Sequence, residues 1–134
     1  MSTSIRDPSA FAVAFARGTE HPDVRRALET PPRSGWKPNP VILPITDLLG
    51  TNGHQYCEGY RLVGDTSLAA RQDRKTWLRE TRAGETPSVP QPLLAPLDFH
   101  GGNIEFRFKA NKAQTGHEVV TMFPAPLDRE PENP

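Results

Sequence analysis

The sequence predicts a small α+β domain, and three observations point there. Residues 103–110, NIEFRFKA, alternate apolar Ile104, Phe106 and Phe108 with charged Glu105, Arg107 and Lys109, the period-two pattern of a strand with one buried face. Residues 66–83, TSLAARQDRKTWLRETRA, run without glycine or proline, as a long helix requires. Between such segments lie 15 prolines in 134 residues, about twice the usual frequency, and each removes an amide donor that helices and inner strands need.

Taken in order, residues 1–7 read as a flexible arm. A helix follows over 8–17, with Asp7 as cap, Pro8 in the first turn, Phe11 and Phe15 on one face, and Gly18 as its stop. A strand with Phe11, Val13 and Phe15 on one side is the competing reading, because a short apolar run fits either period. HPDVRRALET gives a second helix over 22–30, with Val24, Ala27 and Leu28 at helical spacing. PPRSGWKPNP, residues 31–40, is a connector anchored by Trp36.

Residues 41–48 read as a strand, confined by Pro44 to an edge or bend, that Asn52-Gly53 turns into a hairpin partner at 54–63. A third helix spans 67–82, capped by Asp65, Thr66 or Ser67 and ended by Gly84. Residues 84–102 form an extended, apolar, proline-stiffened strap. Strands at 103–110 and 117–123 flank a loop and complete a four-stranded antiparallel sheet. One domain over residues 1–123 is expected, followed by a disordered, acidic, proline-rich tail at 124–134.

Composition narrows the function. The 16 basic and 16 acidic side chains cancel, so there is no global field that would draw the chain to phosphate polymers or anionic membranes. The single cysteine, Cys57, allows no intramolecular disulfide and fits a cytoplasmic protein. No apolar run is long enough to span a bilayer. SAFAVAFA, residues 9–16, is short, preceded by Asp7 and Pro8 and followed by Arg17, so it reads as structure rather than as a signal peptide.

Charge is concentrated locally. At 100° per residue, Arg71, Arg74, Lys75, Arg79 and Arg82 share a sector of about 140° on the third helix. Arg107, Lys109 and Lys112 add cations near the C-terminal hairpin, and Trp36 and Trp77 are candidate apolar anchors. The bland reading of each is a solvated face. Because Ile104, Phe106 and Phe108 point away from Arg107 and Lys109, the hairpin lacks the shared aromatic-cationic surface that grips single strands.

The leading expectation is therefore a non-catalytic adaptor or inhibitor, docking on a larger protein through these ten residues and the proline-stiffened straps. Nucleic-acid binding by the same cations is the runner-up. A small Cys/His enzyme or zinc protein comes third: His54, Cys57, His100 and His117 offer ligand types, and Asp98 could orient His100, but none has motif spacing. No catalytic residue, metal or cofactor is assigned.

Overall fold

A computed structural model describes residues 3–127. The chain enters as a strand, β1 (Thr3–Ile5), so the segment read as an arm is paired from its third residue. Helix α1 (Pro8–Glu20) follows, and Asp7 caps it by accepting the amides of Ser9 at 2.8 Å and Ala10 at 3.2 Å. It does not stop before Gly18. A Cβ there would lie 2.2 Å from Cζ of Phe106, so this glycine is a point of close approach inside the helix. His21 then caps α2 (Pro22–Glu29), its Nδ1 accepting the Asp23 amide.

The hairpin expected between residues 41–48 and 54–63 does not form. Strand β2 (Val41–Pro44) ends at its proline, and the next residues wind into α3 (Ile45–Leu49). Gly50, at φ 82°, stops that helix, and Asn52-Gly53 opens a 3-10 turn (Gly53–Tyr56) rather than a two-residue hairpin. β3 (Cys57–Leu62) is consequently separated from β2, and α4 (Leu68–Arg82) follows with Ser67 accepting the Ala70 amide. The strap is not wholly irregular, since β4 (Leu94–Pro96) pairs with β3, Tyr60 opposite Pro96 and Leu62 opposite Leu94.

Last come β5 (Asn103–Ala110) and β6 (His117–Ala125). β6 runs two residues into the segment read as a tail, and residues 128–134 of that tail lie outside the described ones. The α+β class holds, as two three-stranded antiparallel sheets ordered β1-β3-β4 and β2-β5-β6 in place of a single four-stranded one.

Contacts gather in two compact units, where one domain over 1–123 was expected. The larger comprises residues 3–58 and 98–127, and its core is the inner face of β5: Ile104, Phe106 and Phe108 are buried with Leu43, Ile45, Leu48, Val24 and Met122. Ala10, Ala14 and Gly18 form the buried side of α1, small enough to bring the helix onto the Phe106 ring. The smaller unit, Gly59–Leu97, holds α4, β4 and most of β3.

The inward assignment of the three large side chains on β5 is borne out, but its opposite face is not simply wet. Glu105 is only 3% exposed, because β5 is the middle strand, with Ile42 and Phe123 as its cross-strand neighbours. Arg107 donates Nε to Glu105 at 2.7 Å and lays its guanidinium 5.3 Å from the Phe123 ring centroid.

Candidate functional site

Helix α4 is built to show two different sides. Glu80 is buried, and its carboxylate accepts both the hydroxyl and the amide of Ser88 at 2.6 Å, which hold its carboxyl below the ordinary range. With Gly84 at φ 75°, this clamp folds the chain back after the helix. Asp65 accepts the Ser67 amide at 3.0 Å at the other end, and that bond together with the Ser67 hydroxyl holds its carboxyl below its usual value. The helix is thereby fixed at both ends within its own unit.

The remaining side of α4 carries Arg71, Lys75, Arg79 and Arg82 within about 80° and over about 16 Å of axis. Lys75, Arg79 and Arg82 are exposed, and none of the three has an ion pair among the described residues. Arg71 donates Nε to the Thr66 carbonyl at 3.2 Å, while its Nη1 is buried and has no hydrogen-bond partner among the described residues. Arg74 leaves the expected set: it is 7% exposed and engaged within the protein, because its angular position falls beside Ala70 rather than along the stripe. Trp77 is half-buried on the side away from the cations and is no exposed anchor.

The other expected cations lie in the larger unit, and two are neutralised there. Arg107 pairs with Glu105, and Lys109 lies 3.3 Å from Glu118. Lys112 is exposed in the β5–β6 loop. Trp36 is 38% exposed, with the Arg33 guanidinium 4.7 Å over its ring and the edge of His117 5.8 Å away. It stands in an open groove of about 490 Å³ beside Pro38, Pro40, Ile42 and an Arg26–Asp23 pair. The Arg33 contact was missed in sequence; Gly35 at φ 72°, between the two residues, is the turn signal that marked it.

Of the four metal-ligand candidates, the fold brings two together. His54 and His100 stack with ring centroids 3.5 Å apart and planes 32° apart. His100 Nδ1 is hydrogen-bonded to the Asp98 carboxylate at 2.6 Å, and the His100 amide and ring bonds hold the Asp98 carboxyl below its ordinary range. His117 is elsewhere in role: it is buried, and its Nδ1 donates to the Thr30 carbonyl at 2.7 Å. Among the described residues no group of three or more His, Cys, Asp or Glu is placed to hold a metal ion. Stacked rings direct their in-plane lone pairs side by side rather than onto one centre.

Cys57 is buried, and burial pushes its thiol up to about 11 against an opposing pull from Arg6, which favours the thiol over the reactive thiolate at neutral pH. A cleft of about 260 Å³ in the smaller unit, between Leu62, Ala70, Asp73, Pro92 and Leu93, is below the usual size of a small-molecule site. No helix among the described residues is long and apolar enough to cross a membrane. No protein-family model, curated protein or solved structure matches the chain.

Proposed function

We propose that the protein is a non-catalytic binding protein, an adaptor or inhibitor that docks the cationic side of α4 on an acidic surface of a larger protein. One observation carries the reading: Lys75, Arg79 and Arg82 stand exposed and unpaired on a helix clamped at both ends, whereas Arg107 and Lys109 are spent on internal ion pairs. The helix backbone is already fixed, so docking on carboxylates orders side chains only, and the row of cations steers encounter through its field. The exposed Leu93 of the strap, in the same unit as α4, supplies apolar contact area. A cytoplasmic setting suits the lone thiol of Cys57.

Nucleic-acid binding is the reading to test against it. Fluorescence anisotropy with poly-glutamate and with a generic single-stranded oligonucleotide, at about 50 and 200 mM salt, separates the two. The acidic peptide is expected to bind and to lose about tenfold or more in affinity in the K75E/R79E/R82E variant. Absence of binding to poly-glutamate at low salt, or indifference to the triple change, overturns the proposal. Oligonucleotide binding that falls steeply with salt moves the function to nucleic acid.

A further inference from the structure

The condition that the β5–β6 hairpin fails, aromatic surface and cations on one exposed face, is met around Trp36, wholly within the larger unit. Gly35, at φ 72°, turns the chain so that Arg33 and Trp36 form a β-bridge and the guanidinium lies 4.7 Å over the indole. The His117 edge, 5.8 Å away, holds the ring from a second direction, yet Trp36 remains 38% exposed in the groove of about 490 Å³. That volume lies within the usual range of a small-molecule site, which the cleft of about 260 Å³ does not reach. Charge around the ring is positive on balance. Arg33 and Lys37 are exposed with no ion pair among the described residues, and Arg26 is held only by its exposed pair with Asp23 at 3.4 Å. Asn39, exposed in the same wall, offers both a donor and an acceptor.

We propose that this groove binds a nucleoside phosphate: the base packs on the open part of Trp36, Asn39 bonds the edge of the base, and Arg26, Arg33 and Lys37 take the phosphate. The site presents three kinds of group, and this ligand uses all of them. A flat heterocycle suits the indole. Its ring nitrogens and exocyclic groups suit an amide that both donates and accepts. Its phosphate suits guanidinium and ammonium groups. An acidic peptide would leave the ring and the amide idle, and a neutral sugar would leave the cations idle. Asp23, the carboxylate in the wall, becomes an acceptor for a ribose hydroxyl once Arg26 turns to the phosphate. None of these residues belongs to α4, so the site is separate from the docking side of that helix.

For an open site of this kind a dissociation constant of about 10 μM to 1 mM is expected for adenosine monophosphate. Heteronuclear NMR of the labelled full chain reads it, through the Trp36 indole and the Lys37 and Asn39 amides. Adenosine monophosphate is expected to shift them saturably, and adenosine or inorganic phosphate alone to bind about fivefold or more weakly. Trp36→Leu is expected to weaken binding about tenfold or more, and R33E/K37E about fivefold or more with an unchanged melting curve, since both side chains are exposed. K75E/R79E/R82E is expected to change nothing at this site. No saturable shift up to about 10 mM nucleotide overturns the proposal. So do equal shifts with inorganic phosphate alone, indifference to R33E/K37E, or binding of a short oligonucleotide without binding of the mononucleotide.

Discussion

Replacing Gly18 with alanine sets two known effects against each other. Alanine is the better helix former by about 1 kcal/mol, and by propensity alone the variant would be more stable. The structure reverses the sign. The new methyl would lie 2.2 Å from Cζ and 2.6 Å from Cε1 of Phe106, a ring that is fully buried in the centre of the sheet. Overpacking of that kind costs about 1–3 kcal/mol, and contact with two ring carbons puts this site towards the upper end. The net loss is therefore about 2 kcal/mol, or a fall of about 8–16 °C in melting temperature for a unit of under 100 residues. Thermal and urea denaturation followed by circular dichroism measure it. Adding Phe106→Leu is expected to return part of the loss, because the shorter side chain vacates the space of the ring's far edge. A G18A protein that melts at or above the wild-type temperature refutes the close approach of α1 to β5.

Three further outcomes follow from side-chain environments. Cys57 is expected to resist iodoacetamide at pH 8 in the native protein and to react fully in denaturant; rapid native labelling, read by mass spectrometry, would contradict its burial. The Glu80 carboxyl is held below its unfolded value, so its clamp stabilises the fold above about pH 4.5 and is lost as pH falls through the lower native value. Hydrogen exchange at the Ser88 amide should accelerate there, and E80Q should show that acceleration already at neutral pH. His117→Phe keeps a ring beside Trp36 but leaves the Thr30 carbonyl without its donor, at a cost of about 1–3 kcal/mol; an unchanged urea midpoint would show that the bond is not structural.

Local signals were read from the sequence with more success than pairings. Asp7, Pro8 and Ser67 mark helix starts through bonds within three residues, and the alternation of Ile104, Phe106 and Phe108 directly encodes a buried face. Asn52-Gly53 looked like a hairpin because dipeptide turn chemistry is also compatible with a 3-10 turn, and the alternative is chosen by packing: a Cβ on Gly53 would meet Leu49 and Ile45. The pairing of Val41 with Phe106 has no local signature at all. On α4 the helical angles identified the cationic side and put Trp77 off it, but they admitted Arg74 at its edge beside Ala70, and its burial shows that it does not belong. α1 misleads for a physical reason. Large apolar residues usually mark the inner face, yet here the sheet already carries the large ring and asks the helix for alanine and glycine.

The Thr3 hydroxyl donates to the Pro124 carbonyl, joining positions 121 residues apart. A ribosome adding about 5–20 residues per second delivers β1 many seconds before its anchor exists. During that interval α1 waits without the ring it will clasp, with apolar residues exposed on both sides. Maturation of the larger unit is thus delayed until β5 and β6 have been made, however early α1 itself becomes helical.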